Sequence, residues 1–354
     1  MGGGAVSKRK LAYATGGMAI ATVTALASGV VVERRVVAAR REGAAEADRL
    51  GSLHSPARPV EAGDGVVLHG EVDEPDAGAD AAPGTTLLFV HGFALNLDCW
   101  HFQRDGLRGR YRMAFFDQRS HGRSARSSKE NVNIDQLGDD LAEVLAQLVP
   151  EGDVVLLGHS MGGMAILAFA ERHPEVFRAR VRGVALIATT AGGLKPHRTI
   201  SRFIPDGLGQ LVAPRLVAAL AMAPELVDSA RRGGSNIGFL VSQVFAFGHE
   251  APAAEVEFLD EMLAGTPFEV LAAFFPNFST LDKFASLEVI RTVPTLILCG
   301  TKDRLTSIGH SRKMAGLIRN ARLVESKGSG HMVIFEDRER VNRAIVELVE
   351  ESAR

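Results

Sequence analysis

At Gly158-His159-Ser160-Met161-Gly162 a serine stands between glycines at both second neighbours, where a run of apolar residues ends and a helical pattern begins. A sharp strand-to-helix turn of this kind holds a nucleophile in a strained conformation with its hydroxyl projecting, and the glycines let neighbouring backbones approach. Taken alone the five residues are a weak signal in a chain with 37 glycines, so the flanking pattern must carry them. A serine hydroxyl is a poor nucleophile until a base takes its proton, and that base needs a third group to orient it. His331 follows the last strand-like run by a short Gly-rich loop, and Asp303 lies just beyond the run that ends at Gly300. Other candidates fit less well by position: His121 precedes the serine, His310 falls on an intervening helix, Asp282 precedes its nearest strand, and Asp337 follows His331. Acyl transfer also needs donors for a tetrahedral oxyanion. The backbone N–H of Met161, at the positive end of its helix, supplies one, and that of Phe93, after His91-Gly92, the other.

These residues are useful only if strands deliver them to one rim. Apolar runs read as strands at Thr85 to Val90, Tyr111 to Asp117, Asp153 to His159, Val181 to Ala188, Pro294 to Gly300 and Ala321 to Ser326, with a first strand in "GVVLHGEV". Helical spacing occupies Ile134 to Leu148, Met161 to Arg172 and Arg338 to Glu350. Strands alternating with helices predict an α/β fold, a doubly wound and mostly parallel sheet, with functional residues at the carboxyl ends of the strands.

The motifs "HGFALNLDCW", "FFDQRSHGRS", "GHSMGG", "GTKDRL" and "GSGH", in this order, resemble the α/β-hydrolase fold family, particularly its lidded esterase, monoacylglycerol-lipase-like and haloperoxidase-like members. The resemblance spans about Gly65 to Glu350 and implies Ser160 as nucleophile, His331 as base and Asp303 as its orienter. Members usually carry glycine where Ser120 stands, which bears on the geometry of that loop. The family often inserts a helical cap between the fourth and fifth of these strands, and 189–287 fits one, with apolar helical spacing and "VLAAFFPNF". The implied division is a core of 65–188 and 288–354 around that cap, preceded by a linker over 42–64 and an N-terminal segment over 1–41.

In that segment the uncharged stretch Leu11 to Val32 follows Lys8-Arg9-Lys10 and would span about 33 Å as a helix, enough for a bilayer core. It reads as a single-pass membrane anchor, with a secretory signal cleaved after Ala25-Leu26-Ala27 as the alternative. Basic residues flank both sides, so orientation is undecided.

The expected activity is hydrolysis of a small-molecule carboxylic ester through an acyl-enzyme on Ser160. The excess of Phe and Met near the presumed mouth points to an apolar substrate. A serine at the turn argues against the dehalogenases and epoxide hydrolases of this fold, which use aspartate there. Carbon–carbon bond hydrolysis, cofactor-free haloperoxidase or perhydrolase chemistry, and a noncatalytic ligand receptor are the alternatives. No cofactor or metal is implied, since Cys99 and Cys299 lack any metal-ligand spacing and read as buried apolar side chains. With 40 basic and 42 acidic residues, nucleic acid is not an expected partner.

Overall fold

A computed structural model describes residues 50–79, 81–194 and 245–354. The N-terminal segment 1–41 lies outside the described residues, as does 195–244 of the expected cap. No helix among the described residues is long and apolar enough to cross a membrane.

Strands and helices are numbered here among the described residues. A small hairpin, β1 (Val60–Glu61) and β2 (Val67–Leu68), precedes β3 (Gly70–Asp73), β4 (Thr85–Val90), α1 (His101–Leu107) and β5 (Arg112–Phe116). Then come α2 (Ile134–Leu148), β6 (Asp153–His159), α3 (Met161–Arg172), α4 (Pro174–Arg180) and β7 (Val181–Ile187). After 245 follow α5 (Ala253–Gly265), α6 (Phe268–Thr280), α7 (Leu287–Ile290), β8 (Thr295–Gly300), α8 (Ile308–Leu317), β9 (Ala321–Ser326), α9 (Val333–Glu336) and α10 (Arg338–Ser352).

The main sheet has the order β3-β5-β4-β6-β7-β8-β9, with β3 antiparallel to β5 and every other pair parallel. Its central strands bury both faces, and their side chains alternate between two cores. Leu88, Val90, Leu156 and Leu186 join the core formed with Leu137, Leu141 and Leu145 of α2. Leu87, Phe89, Leu157 and Ile187 join the opposite one, with Trp100, Leu107 of α1 and Val341, Ile345 and Leu348 of α10. That is the pattern of a parallel sheet covered on both sides by crossover helices. Both cysteines are buried free thiols.

The run "GVVLHGEV" does not make one strand. It splits at His69, whose N–H is donated to Ser124 Oγ at 2.9 Å and whose carbonyl accepts the Asp117 N–H at 2.9 Å. Those bonds engage a turn rather than the sheet, so the chain changes partners there. The preceding residues, which read as linker, are built onto the sheet edge: Arg58 N–H donates to Gly70 O at 2.7 Å, and Ser55 Oγ to Asp73 Oδ1. An edge strand covered in this way offers fewer free backbone groups for unwanted pairing.

Of the stretch 189–287 expected to form a cap, α5 packs on the α1 face through Val256, Phe258, Leu259 and Met262, whereas α6 packs on the other face through Val270 and Phe274. The apolar run over 208–227 lies outside the described residues.

Candidate active site

The turn at the end of β6 places Ser160 at φ 53° and ψ −118°, in the left-handed region that costs a non-glycine residue about 1–3 kcal/mol. Several bonds hold it there. The Ser160 N–H donates to Ile187 O at 2.9 Å, and its carbonyl accepts the Thr189 hydroxyl at 2.6 Å and the Gly163 N–H at 3.0 Å. A methyl at Gly158 would meet Gly163 N at 2.6 Å, and one at Gly162 would land on the carbonyl oxygen of Val90. Both glycines are therefore set by close backbone approach, as the spacing predicts.

Ser160 Oγ lies 3.0 Å from His331 Nε2, and His331 Nδ1 lies 2.9 Å from Asp303 Oδ2. The fold thus brings together three side chains from the ends of β6, β8 and β9. All three residues are buried. The carboxylate of Asp303 is heavily donated to: Oδ1 accepts the N–H groups of Leu305 at 2.8 Å and Thr306 at 2.9 Å, and Oδ2 the Thr306 hydroxyl at 2.8 Å. Burial alone would raise its pKa. The charge and hydrogen bond of His331 and those donors outweigh burial and hold it at about 2. When His331 is neutral, an acceptor that stays ionised keeps its one ring proton on Nδ1, which leaves the Nε2 lone pair facing the serine hydroxyl.

The other histidines and carboxylates weighed on position stand elsewhere. His121 Nδ1 donates to Arg119 O at 2.9 Å, His310 Nδ1 contacts Thr190 Oγ1 at 3.0 Å, Asp282 bridges Gly192, and Asp337 accepts the Ser326 hydroxyl at 2.5 Å.

The loop after β4 runs beside the serine, since a methyl built on Gly92 would lie 3.2 Å from Ser160 Cβ. No hydrogen bond among the described residues uses the N–H of Phe93 or Met161. The Phe93 ring packs edge-on against Phe274 at 6.1 Å and Phe278 at 5.0 Å, so α6 forms an aromatic wall next to this loop. The "FFDQRSHGRS" turn braces the loop from behind. Asp117 Oδ1 accepts the Leu97 N–H at 2.7 Å, Gln118 Nε2 donates to His91 O at 2.6 Å, and Gln118 N–H donates to His91 Nε2 at 2.9 Å. Ser120 occupies the left-handed region at φ 64°, which accounts for glycine as the usual residue there; its hydroxyl oxygen accepts the Ser127 N–H at 2.9 Å.

Two supporting residues escaped the sequence reading. Thr306 is one; the Asp-x-x-Thr spacing, with side-chain bonds to the second and third amides onward, was its available signal. His159 is the other: its Nε2–H donates to the His331 carbonyl at 3.0 Å, while burial, reinforced by the His331 charge, lowers its pKa to about 3 and keeps it neutral. That partnership joins residues far apart in the chain and leaves no local signal.

This geometry invites comparison with known proteins. A non-heme chloroperoxidase from Kitasatospora aureofaciens is 29% identical over 283 residues, covering 76% of this chain and 94% of the relative. A bifunctional esterase/perhydrolase from Acinetobacter calcoaceticus is 26% identical over 285 residues, covering 77% and 94%. An esterase from Exiguobacterium antarcticum superposes with a TM-score of 0.64 at 22% identity, covering 83% of this chain and all of its own. The model of the alpha/beta hydrolase fold family matches residues 85–338, which takes in β4, the serine turn, Asp303 and His331. Fold, strand order and family match agree, and the chain belongs to the alpha/beta hydrolase fold family.

Proposed function

We propose that the protein is a serine hydrolase that cleaves a carboxylic ester through an acyl-enzyme on Ser160. The observation that carries this reading is the unbroken chain of contacts from Ser160 Oγ to His331 Nε2 at 3.0 Å and from His331 Nδ1 to Asp303 Oδ2 at 2.9 Å. His331 takes the serine proton as Oγ attacks the ester carbonyl, and the imidazolium is stabilised by ionised Asp303. The amides of Phe93 and Met161 donate to the oxyanion, each contributing about 3 kcal/mol to the barrier reduction. The proton passes to the leaving alkoxide, and water activated by His331 then releases the acid and restores Ser160. The aromatic wall of Phe93, Phe274 and Phe278 favours an apolar ester.

The names of the chloroperoxidase and esterase/perhydrolase relatives support a second reading of the same acyl-enzyme, in which hydrogen peroxide replaces water and the product is a peracid. We further propose that 1–41 anchors the domain to a membrane.

Hydrolysis of nitrophenyl esters tests the principal reading. A burst of about one equivalent of nitrophenol, abolished in Ser160→Ala, is expected. Peracid formed from ester and peroxide would assign the perhydrolase reaction. A folded wild type with no burst and no turnover on acyl chains of any length would overturn hydrolysis in favour of a noncatalytic receptor.

A further inference from the structure

Thr306 stands where two acceptors compete for one proton. Its hydroxyl oxygen lies 2.7 Å from the carbonyl oxygen of Ala188 and 2.8 Å from Asp303 Oδ2, with His331 Nδ1 at 3.4 Å. A threonine hydroxyl carries a single proton, so it serves one acceptor and turns a lone pair toward the other. Both acceptors belong to the site. Ala188 follows β7 at φ 45°, between Ile187, whose carbonyl accepts the Ser160 N–H, and Thr189, whose hydroxyl donates to the Ser160 carbonyl. Asp303 is the carboxylate that faces the base.

The charge on Asp303 discriminates between them. A hydrogen bond to an ionised acceptor is roughly twice as strong as one to a neutral carbonyl, and the burial of Thr306 and Asp303 sharpens the difference. Placement matters as much as strength. The backbone amides of Leu305 and Thr306 both reach Oδ1. Oδ2, the oxygen that faces His331, receives the Thr306 hydroxyl and, at 3.7 Å, the Cys299 thiol. Thr306 therefore shares one oxygen atom with His331 Nδ1–H, and a donor on that oxygen weakens its pull on the imidazole.

We propose that Thr306 is a positioning residue that gives its hydroxyl proton to Asp303 rather than to Ala188, and so limits how strongly the carboxylate draws a proton onto His331. The inference rests on the acyl-enzyme reading and extends it to the pH range of the reaction, since His331 acts as base only while its Nε2 is unprotonated. Other titratable groups surround the pair. His159 of β6 is held at about 3 by burial and the His331 charge, and burial pushes the Cys299 thiol of β8 up. On α8, His310 is lowered by burial; on α9, Glu336, which accepts the Gly330 and Gly248 N–H groups, is raised by burial. Lys302 directs its ammonium to Gly248 O. Substitution at 306 leaves all of these in place, so a shift between variants reads Thr306.

The full chain is assayed on nitrophenyl acetate from about pH 5 to about pH 9 as wild type, Thr306→Val and Thr306→Ser. Valine keeps the shape and removes the hydroxyl, whereas serine keeps the hydroxyl. The midpoint of the acidic limb of kcat/KM is expected to rise by about 0.5 pH unit in Thr306→Val, with the plateau lowered about threefold. In Thr306→Ser it is expected to return to within about 0.1 unit of the wild type. A midpoint that falls overturns the proposal, because it puts the proton on Ala188 and the lone pair toward the imidazole. An unmoved midpoint, or a serine variant that tracks valine, also overturns it and leaves Thr306 a plain structural residue. If Thr306→Val does not fold, Thr306→Ala gives the same reading. A wild type without a nitrophenol burst would instead strike the acyl-enzyme reading, whereas a normal burst in every variant with an unmoved midpoint strikes this inference alone.

Discussion

Asp303 shows how much of the site rests on one carboxylate. Replacing it by asparagine leaves the volume unchanged but removes the charge that orients His331, so turnover on soluble esters is expected to fall by about four orders of magnitude while Ser160 remains in place. Turnover like that of the wild type would remove Asp303 from the relay. The same residue makes a stability prediction. Its folded pKa is depressed to about 2 from 3.8, so its contribution is present above the unfolded value and is lost as pH falls through the folded one. The shift corresponds to about 2 kcal/mol. Thermal unfolding of wild type and Asp303→Asn should therefore differ most above pH 4 and converge toward pH 2; a constant gap would contradict it. At this scale the meeting of Ser160, His331 and Asp303 was legible because each follows a run that reads as a strand between helical patterns. Thr306 and His159 act through partners that the chain brings together only on folding, and Glu336 bonds a segment 88 residues earlier.

Among the described elements, the turn from β6 into α3 is closely packed against β4. Glycine to alanine in a helix ordinarily gains about 1 kcal/mol. Gly162→Ala should do the opposite, because the added methyl would fall on the Val90 carbonyl of β4, a backbone atom that cannot swing aside. Urea unfolding is expected to show a loss of about 3 kcal/mol or more. A variant as stable as the wild type would mean that the turn is not packed as described. Strand positions were readable because the central strands are apolar on both faces, and α2 and α3 have the bounds their periodicity predicts. The break at His69 was not readable, since it depends on hydrogen bonds to a turn some fifty residues later.

The whole molecule includes more chain than its composition suggests. Residues 54–58 are rich in small and turn-forming types and read as linker, yet they complete a buried ionic cluster. Arg104 donates to Glu71 Oε2 at 2.8 Å and Asp73 Oδ2 at 2.8 Å, while Ser55 N–H and His54 contact Glu71 at 2.9 Å and 3.1 Å. Buried carboxylates stripped of such partners are costly. A truncation series separates the roles. Removing 1–41 should release the protein from membranes with its melting temperature and soluble-ester activity intact; removal through Arg58 should lower the melting temperature by about 5 °C, from a loss of about 2 kcal/mol. Membrane binding that survives the first cut would refute the anchor, and an unchanged melting temperature after the second would refute the structural role of 54–58. The central claim is that one serine becomes covalently acylated, and mass spectrometry of protein quenched in acid during turnover of a short-chain ester tests it most directly. The account predicts an acyl group on the peptide that carries Ser160, absent from Ser160→Ala; the acyl group on any other residue, or undiminished turnover in that variant, would contradict it.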